Sequence, residues 1–141
     1  MIIKQLSVFL ENKSGRLTEV TEILGKAGIN LSALSIADTS EYGVLRMVVS
    51  DPDKAHSILK AYGFSVSLTD VVCLSTPNEA GSLAKALRIL SEAKISVEYL
   101  YAFSMGERAL VVIRTENIAK CIEALQGGKM DLLKASELYQ I

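Results

Sequence analysis

Apolar and polar positions alternate along the chain with two different periods, and the same succession of periods occurs twice. Leu6, Val8 and Leu10 are spaced by two, which predicts a strand, and Asn12-Lys13-Ser14-Gly15 reads as a turn. Leu17, Val20, Ile23, Leu24 and Ala27 then recur at helical spacing, and Gly28 closes that helix where a left-handed residue is wanted. Two strands follow, Ile29 to Ala37 and Tyr42 to Ser50, joined by the polar turn Asp38-Thr39-Ser40-Glu41. Asp51-Pro52 supplies a cap and a first-turn proline for a second helix, whose apolar face is Ala55, Ile58, Leu59 and Tyr62 and which ends at Gly63. Phe64, Val66 and Leu68 alternate as a fourth strand, completing a βαββαβ order.

Shifting the chain by 66 places, the distance from Gly15 to Gly81, lays Asn12, Leu17, Ile23, Leu24, Ala27, Ile29 and Leu34 on Asn78, Leu83, Ile89, Leu90, Ala93, Ile95 and Leu100. Lys54 and Leu59 fall on Lys120 and Leu125 without a gap. A constant offset over that distance marks a tandem duplication, with domains expected at 1–69 and 70–141. The second copy reads as a strand from Val71 to Ser75, a helix carrying Leu83, Ala86, Leu87 and Leu90, strands from Ile95 to Phe103 and Ala109 to Arg114, a helix from about Glu116 to Gln126, the pair Gly127-Gly128, and a last strand. Because Glu137 to Ile141 aligns with Val71 to Ser75, the final strand is expected either to run longer than its counterpart or to be followed by an extra one. The fold class is therefore α+β: two ferredoxin-like βαββαβ units, antiparallel sheets with the helices on one face. Strands such as Val44-Leu45-Arg46-Met47-Val48-Val49 are apolar on both sides, so the face away from the helices needs cover, from the other repeat or from a second chain.

Composition narrows the function by exclusion. A hydrophobic share of 50% with a net charge of −1 describes a globular protein without the basic surface that condenses onto nucleic acid. The longest stretch without a charge, residues 27–37, falls well short of the roughly 20 residues that cross a bilayer. The opening Met-Ile-Ile-Lys-Gln-Leu-Ser lacks the parts of a secretory signal, so a cytoplasmic location is expected. One histidine, His56, supports neither a triad nor a metal cluster and reads as a solvated helix residue; Glu19 and Glu22 read as a solvated helix face. Cys73 and Cys121 lie in an apolar strand and on a helix, as buried unreactive thiols do, and Gly127-Gly128 is explained by the end of a helix. No enzyme activity, cofactor or metal is expected.

The duplicated turn stands apart. Asn12-Lys13-Ser14-Gly15-Arg16-Leu17 and Asn78-Glu79-Ala80-Gly81-Ser82-Leu83 each lead a strand into a helix N-terminus, where backbone N–H groups and the helix dipole favour a carboxylate or phosphate. An asparagine both donates and accepts, as a zwitterion requires, although the same residues also serve as a turn cap and a strain-relieving glycine. Asn30, where the second strand begins, is a further polar residue in an apolar stretch, and as a strand-entry residue it also has a purely local reading.

Asn-x-x-Gly-x-Leu followed by Ala27-Gly28-Ile29-Asn30-Leu31, on a βαββαβ order, resembles the ACT domain, a small regulatory module of amino-acid metabolism. The resemblance covers essentially the whole chain as two copies and is stronger in the first. Ser14 and Ala80 stand where the family turn usually has proline, and Ser96 stands where the first copy has Asn30. The resemblance implies an amino acid enclosed between the turn of one domain and the second strand of a neighbouring one. Asn12, Ser14, Gly15, Arg16 and Leu17, and in the second copy Asn78, Ala80, Gly81 and Leu83, would present backbone and side-chain groups, and Asn30 or Ser96 would close from the partner. It implies a homodimer that senses a small amino acid, with two unequal sites.

Other classes fit less well. Leu6-Ser7-Val8-Phe9-Leu10-Glu11-Asn12 and Asn30 to Ser35 are also similar to the N-terminal module of the acetolactate synthase regulatory subunit, which makes an interaction subunit of an amino-acid biosynthetic enzyme the alternative. An RNA-binding sheet needs stacking aromatics within its third strand, which Val-Leu-Arg-Met-Val-Val lacks, and a metal chaperone needs a cysteine pair where Lys13-Ser14 stand.

Overall fold

The computed structural model describes residues 1–38 and 41–140, so Thr39, Ser40 and Ile141, with the turn expected at the first two, lie outside the described residues. The elements are β1 (Ile3–Glu11), α1 (Arg16–Lys26), β2 (Leu31–Asp38), β3 (Tyr42–Val49), α2 (Pro52–Ala61), β4 (Ser65–Pro77), α3 (Ser82–Glu92), β5 (Val97–Met105), β6 (Arg108–Thr115), α4 (Ile118–Gly127), β7 (Asp131–Leu132) and α5 (Ala135–Tyr139). They group into two compact units, one of residues 4–69 with the tail from Leu138, the other of residues 1–3 with 70–137. Each is a ferredoxin-like βαββαβ arrangement.

In the first unit the strand order is β2-β3-β1-β4. β3 runs antiparallel to both neighbours, with Met47 opposite Leu6 on one side and Leu34 on the other. Alternation then sorts the faces. Leu6, Val8 and Leu10 of β1 and Leu45, Met47 and Val49 of β3 meet Val20 and Leu24 of α1 and Ala55 and Leu59 of α2 in one core. On the opposite face Gln5, Ser7, Ala33 and Val48 are also buried, and the Gln5 amide donates to the Ser7 hydroxyl at 3.1 Å, which satisfies a polar group that would otherwise be costly there.

The second unit repeats the plan, β6 lying antiparallel between β4 and β5 while β7 pairs with β4 through Leu74 opposite Leu132. Val72, Leu74, Val111 and Ile113 face Ala86 and Leu90 of α3 and Cys121 and Leu125 of α4. Backbone bonds outside the regular elements recur at the same 66-residue offset. Ile29 N–H to Leu24 O matches Ile95 to Leu90, and Phe64 to Leu59 matches Met130 to Leu125. The caps of the second helix of each unit match as well: Asp51 accepts from Lys54 N–H and Asn117 from Lys120 N–H.

The structure departs from the sequence expectations at three places. β4 is one 13-residue strand, so Thr69 and Asp70, which fall between the strand expected through Leu68 and the one expected from Val71, lie inside it. The tail is not a strand: after the two-residue β7 it forms α5, where the Glu137 carboxylate accepts from Lys134 N–H and the Ala-Ser-Glu-Leu sequence favours helix. Leu138 of that helix is fully buried, its carbonyl accepts from the Ser32 hydroxyl at 3.1 Å, and the Tyr139 hydroxyl accepts from Lys4 N–H at 2.9 Å. Leu17 and Leu83, read as part of the helical apolar face, stay outside both cores.

Gly127-Gly128 stand at the end of α4 as expected, Gly127 as its last residue and Gly128 as its cap. The left-handed position after α4 belongs to Lys129, at φ 60, while a methyl at Gly128 would stand 2.5 Å from Ile89 Cδ1, so the Ile89 side chain would have to shift to admit it. Lys94, at φ 58, likewise occupies the position that Gly28 fills in the first unit at φ 74. A left-handed non-glycine residue costs about 1 kcal/mol or more. Lys94→Gly should therefore raise the unfolding free energy by about 0.5–1 kcal/mol. Gly28→Ala, whose added carbon meets nothing within 4 Å, should lower it by about 1 kcal/mol through the backbone alone. Urea titration of the two variants measures both; equal stabilities would refute the strain argument.

Candidate functional site

The duplicated turn is built by backbone geometry. Gly15 sits at φ 88, ψ −9 and Gly81 at φ 88, ψ −11, each as the N-cap of its helix with no side chain acting as cap. Only glycine takes that conformation at no cost. Asn12 N–H donates to Glu41 O at 2.9 Å and Asn78 N–H to Glu107 O at 2.8 Å, which ties each turn to the start of the unit's third strand. Lys13 N–H to Glu11 O, at 2.8 Å, and Glu79 N–H to Pro77 O, at 2.9 Å, tighten the loop identically.

What the turn leaves outside the core is also repeated. Leu17 is 38% exposed and Leu83 36%, although each lies one helical turn before a fully buried residue, Val20 and Ala86. In the first unit Leu17 borders a pocket of about 200 Å³ with Leu10, Glu11, Asn12, Arg16 and Ile36. The edge strand β2 contributes more apolar surface, with Leu34 and Ile36 about half exposed. Sequence reading passed over Ile36, Leu34 and Glu11; the signal available was that β2 has apolar residues on both sides of its alternation.

The candidate residues do not all meet. Asn12, Arg16 and Leu17 line the pocket, while Ser14 and Gly15 form the turn beside it. Asn30 lies at the far end of the same sheet: the turn adjoins Glu11 opposite Tyr42, whereas Asn30 precedes Leu31 opposite Val49. Seven residue steps along β3, from Tyr42 to Val49, separate them, about 23 Å. The Asn30 backbone completes the strand entry, its N–H donating to the Ser50 hydroxyl at 3.0 Å and its carbonyl accepting from Ser50 N–H at 2.9 Å. Its side chain is exposed and makes no hydrogen bond among the described residues. In the second unit Ala80 and Gly81 line a pocket of about 630 Å³ that includes neither Asn78 nor Leu83, and Ser96 lines a separate one of about 690 Å³.

The ACT domain pair model matches residues 1–141. The chain belongs to the ACT domain pair family. An ACT pair is a regulatory module. A crystal structure of protein BT0572 from Bacteroides thetaiotaomicron is 57% identical and superposes with a TM-score of 0.97, the match covering 100% of this chain and 98% of that one. The ligand-free regulatory subunit of aspartate kinase from Thermus thermophilus is 15% identical with a TM-score of 0.68, over 89% of this chain and 93% of that one. The aspartate kinase regulatory subunit from Thermus flavus is 16% identical with a TM-score of 0.60, over 90% and 94%. At those two identities the likeness is one of fold. No curated protein matches the chain.

Charge distinguishes the two turns of the ACT pair. In the first, Glu11 pairs with Lys13 at 2.8 Å and with Arg16 at 3.7 Å, and Arg16 reaches Glu19 at 3.2 Å. The hydrogen bond from Lys13, then the charges of Lys13 and Arg16, hold the Glu11 carboxyl below its ordinary value. In the second turn Pro77, Glu79, Ser82 and Lys85 stand at the positions of Glu11, Lys13, Arg16 and Glu19, so that network is not repeated. Among the described residues no group of three or more His, Cys, Asp or Glu is placed to hold a metal, and no helix is long and apolar enough to cross a membrane. His56 is half-buried on α2.

Cys73 and Cys121 are both buried free thiols. Burial pushes the Cys73 thiol up to about 12, against a smaller lowering by a hydrogen bond with the Val111 backbone, and burial raises Cys121 too. Both should resist a thiol-specific chromogenic reagent at pH 8 and react only on unfolding. Raised folded-state values mean that the stabilisation from the neutral thiol is complete below the unfolded cysteine's titration and is lost as pH climbs through the folded one. Stability should therefore fall between about pH 9 and 12, less steeply in Cys73→Ala. Labelling in folded protein at pH 8 would contradict this.

Proposed function

We propose that this ACT pair is a non-catalytic cytoplasmic regulator that binds a small amino acid at interfaces between ACT domains and works as a homodimer. The observation that carries the reading is the repeated turn: a left-handed glycine N-cap closed by backbone alone, followed by a leucine left exposed in both copies. Such a turn presents helix N-terminal N–H groups to a carboxylate and apolar surface to a side chain. Asn12, Ser14, Gly15, Arg16 and Leu17 form the first such element, and Asn78, Ala80, Gly81 and Leu83 the second. The distance between the first turn and Asn30 within a unit supports a site in which Asn30, or Ser96, comes from a neighbouring domain, and on this reading a second copy of the chain supplies it. The output is a change in the dimer equilibrium, as large as the ligand's differential affinity for the two packings and no larger.

The exposed Leu34 and Ile36 on β2 favour a second reading, an interaction subunit that docks on an amino-acid biosynthetic enzyme such as acetolactate synthase. Thermal shift across the twenty amino acids at millimolar concentration separates the two. Stabilisation by one or a few supports the sensor, and none, together with recovery of such an enzyme in a pull-down, supports the subunit. Asn30→Ala should weaken binding by about 1.5–3 kcal/mol, the worth of a hydrogen bond to a charged ligand group. Its stability should stay near that of the parent, because the local hydrogen bonds of Asn30 are made by its backbone. Unfolding of Asn30→Ala would favour the purely local role instead.

A further inference from the structure

The 66-residue offset relates a second pair of pockets. In the first unit a pocket of about 270 Å³ lies beside β4, and every residue lining it has its counterpart, 66 places on, among those lining the 630 Å³ pocket of the second unit. One position in the fold has thus kept a concavity in both repeats while its chemistry has been exchanged. Phe9, Tyr42, Tyr62 and Phe64 line the first; Ser75, Arg108, Gly128 and Met130 stand in their places in the second. Gly63 and Ser65 have become Lys129 and Asp131.

The second pocket gathers Lys85, Arg108 and Lys129 against Glu79 and Asp131. Arg108 is braced, its Nε donating to the Ser75 hydroxyl at 3.1 Å and its guanidinium reaching Asp131 at 3.5 Å. That pairing occupies one of the two carboxylates, and Lys85 and Lys129 make no ion pair among the described residues. Lys129 stands at φ 60, where the first unit uses Gly63 at φ 90. Glycine would serve the turn at about 1 kcal/mol less strain, so the lysine is not there for the backbone. Gly128 and Lys129 both line the pocket.

We propose that the pocket formed by Lys85, Arg108 and Lys129 in the second unit binds the oxyanion of a small molecule, a phosphate or carboxylate group. It shares Ala80 and Gly81 with the second turn of the proposed amino-acid site but contains neither Asn78 nor Leu83, so the two overlap at the turn and differ in the charges of Arg108 and Lys129. Arg108 provides a held guanidinium and the two lysines mobile charge, a combination that suits a tetrahedral or planar oxyanion. The first pocket sets a single cation, Arg16, already paired with Glu11, beside its aromatic lining, so binding is confined to the second repeat.

The test is an amide NMR titration of the full chain with inorganic phosphate and, separately, with succinate, at constant ionic strength. Saturable shifts confined to the surroundings of Arg108, Lys129 and Met130 are expected, with a Kd of about 1 mM and a loss of about fivefold or more in Lys129→Gly and in Arg108→Gln. The anion bound more tightly identifies the source of the oxyanion. Lys129→Gly also relieves the left-handed strain, so its thermal midpoint should rise; lost binding with raised stability cannot be ascribed to unfolding. Shifts spread over surface lysines outside the pocket, titrations that do not saturate, or an unchanged Kd in both variants would overturn the proposal. Asn30→Ala should leave these titrations unaltered, which separates this site from the amino-acid site.

Discussion

Each repeat depends on a reversal completed within four residues, where the first strand hands the chain to a helix lying across its own sheet. Gly15 and Gly81 make that reversal at φ 88, and backbone bonds from Asn12 to Glu41 and from Asn78 to Glu107 lock it to the third strand. Because main-chain groups close the turn, no side chain is consumed as a helix cap. The helix set by this reversal sends Val20 and Leu24, or Ala86 and Leu90, into the core. The leucine one turn earlier lies on the same stripe and is left half outside, which in the first unit places it in a pocket with Leu10 and Ile36. One geometric constraint thus accounts for both the fold of the unit and the surface it offers.

Much of this was legible in the residues, for a physical reason. Period-two and helical spacing record which side chains face a core, and a constant 66-residue offset preserves that record twice, so noise in one copy is corrected by the other. The places that escaped are those where tertiary context overrides a local rule. Thr69-Asp70 falls at the boundary between the two repeats, yet β4 continues through it. The match of Glu137 to Ile141 with Val71 to Ser75 extended the offset past the end of the duplicated unit, where a Glu137 cap and the burial of Leu138 decide for helix. Glycine marks left-handed positions only where glycine was chosen, and Lys94 and Lys129 carry no such mark. Asn12, Arg16 and Leu17 could be identified as neighbours from the turn motif; Ile36 and Glu11 could not, since their proximity to it depends on strand pairing.

The two repeats have kept backbone geometry more faithfully than charge. Turn hydrogen bonds, helix caps and left-handed positions coincide at the same offset, whereas Glu11, Lys13, Arg16 and Glu19 give way to Pro77, Glu79, Ser82 and Lys85. Exposed ion pairs of the kind around Arg16 contribute little to stability, so folding places only a weak restraint on which charges stand there. The core and the turns are restrained far more strongly, since a misplaced buried side chain costs several kcal/mol. Surface chemistry was therefore free to diverge on a fixed frame.

That frame also limits where control can act. The turn and the start of β2 lie at opposite ends of one sheet, about 23 Å apart, and a free amino acid is too short to touch both within a unit. On the proposed reading, a ligand held by the two elements joins two domains, and its binding free energy is then a term in their association. Coupling between sites of about 1–3 kcal/mol is ordinary for regulatory proteins and changes an equilibrium by about 5- to 150-fold. A few hydrogen bonds to a carboxylate and an ammonium are of that size. A protein built in this way needs no reactive side chain to exert regulation; it needs a rigid turn, an open edge and a second domain within reach.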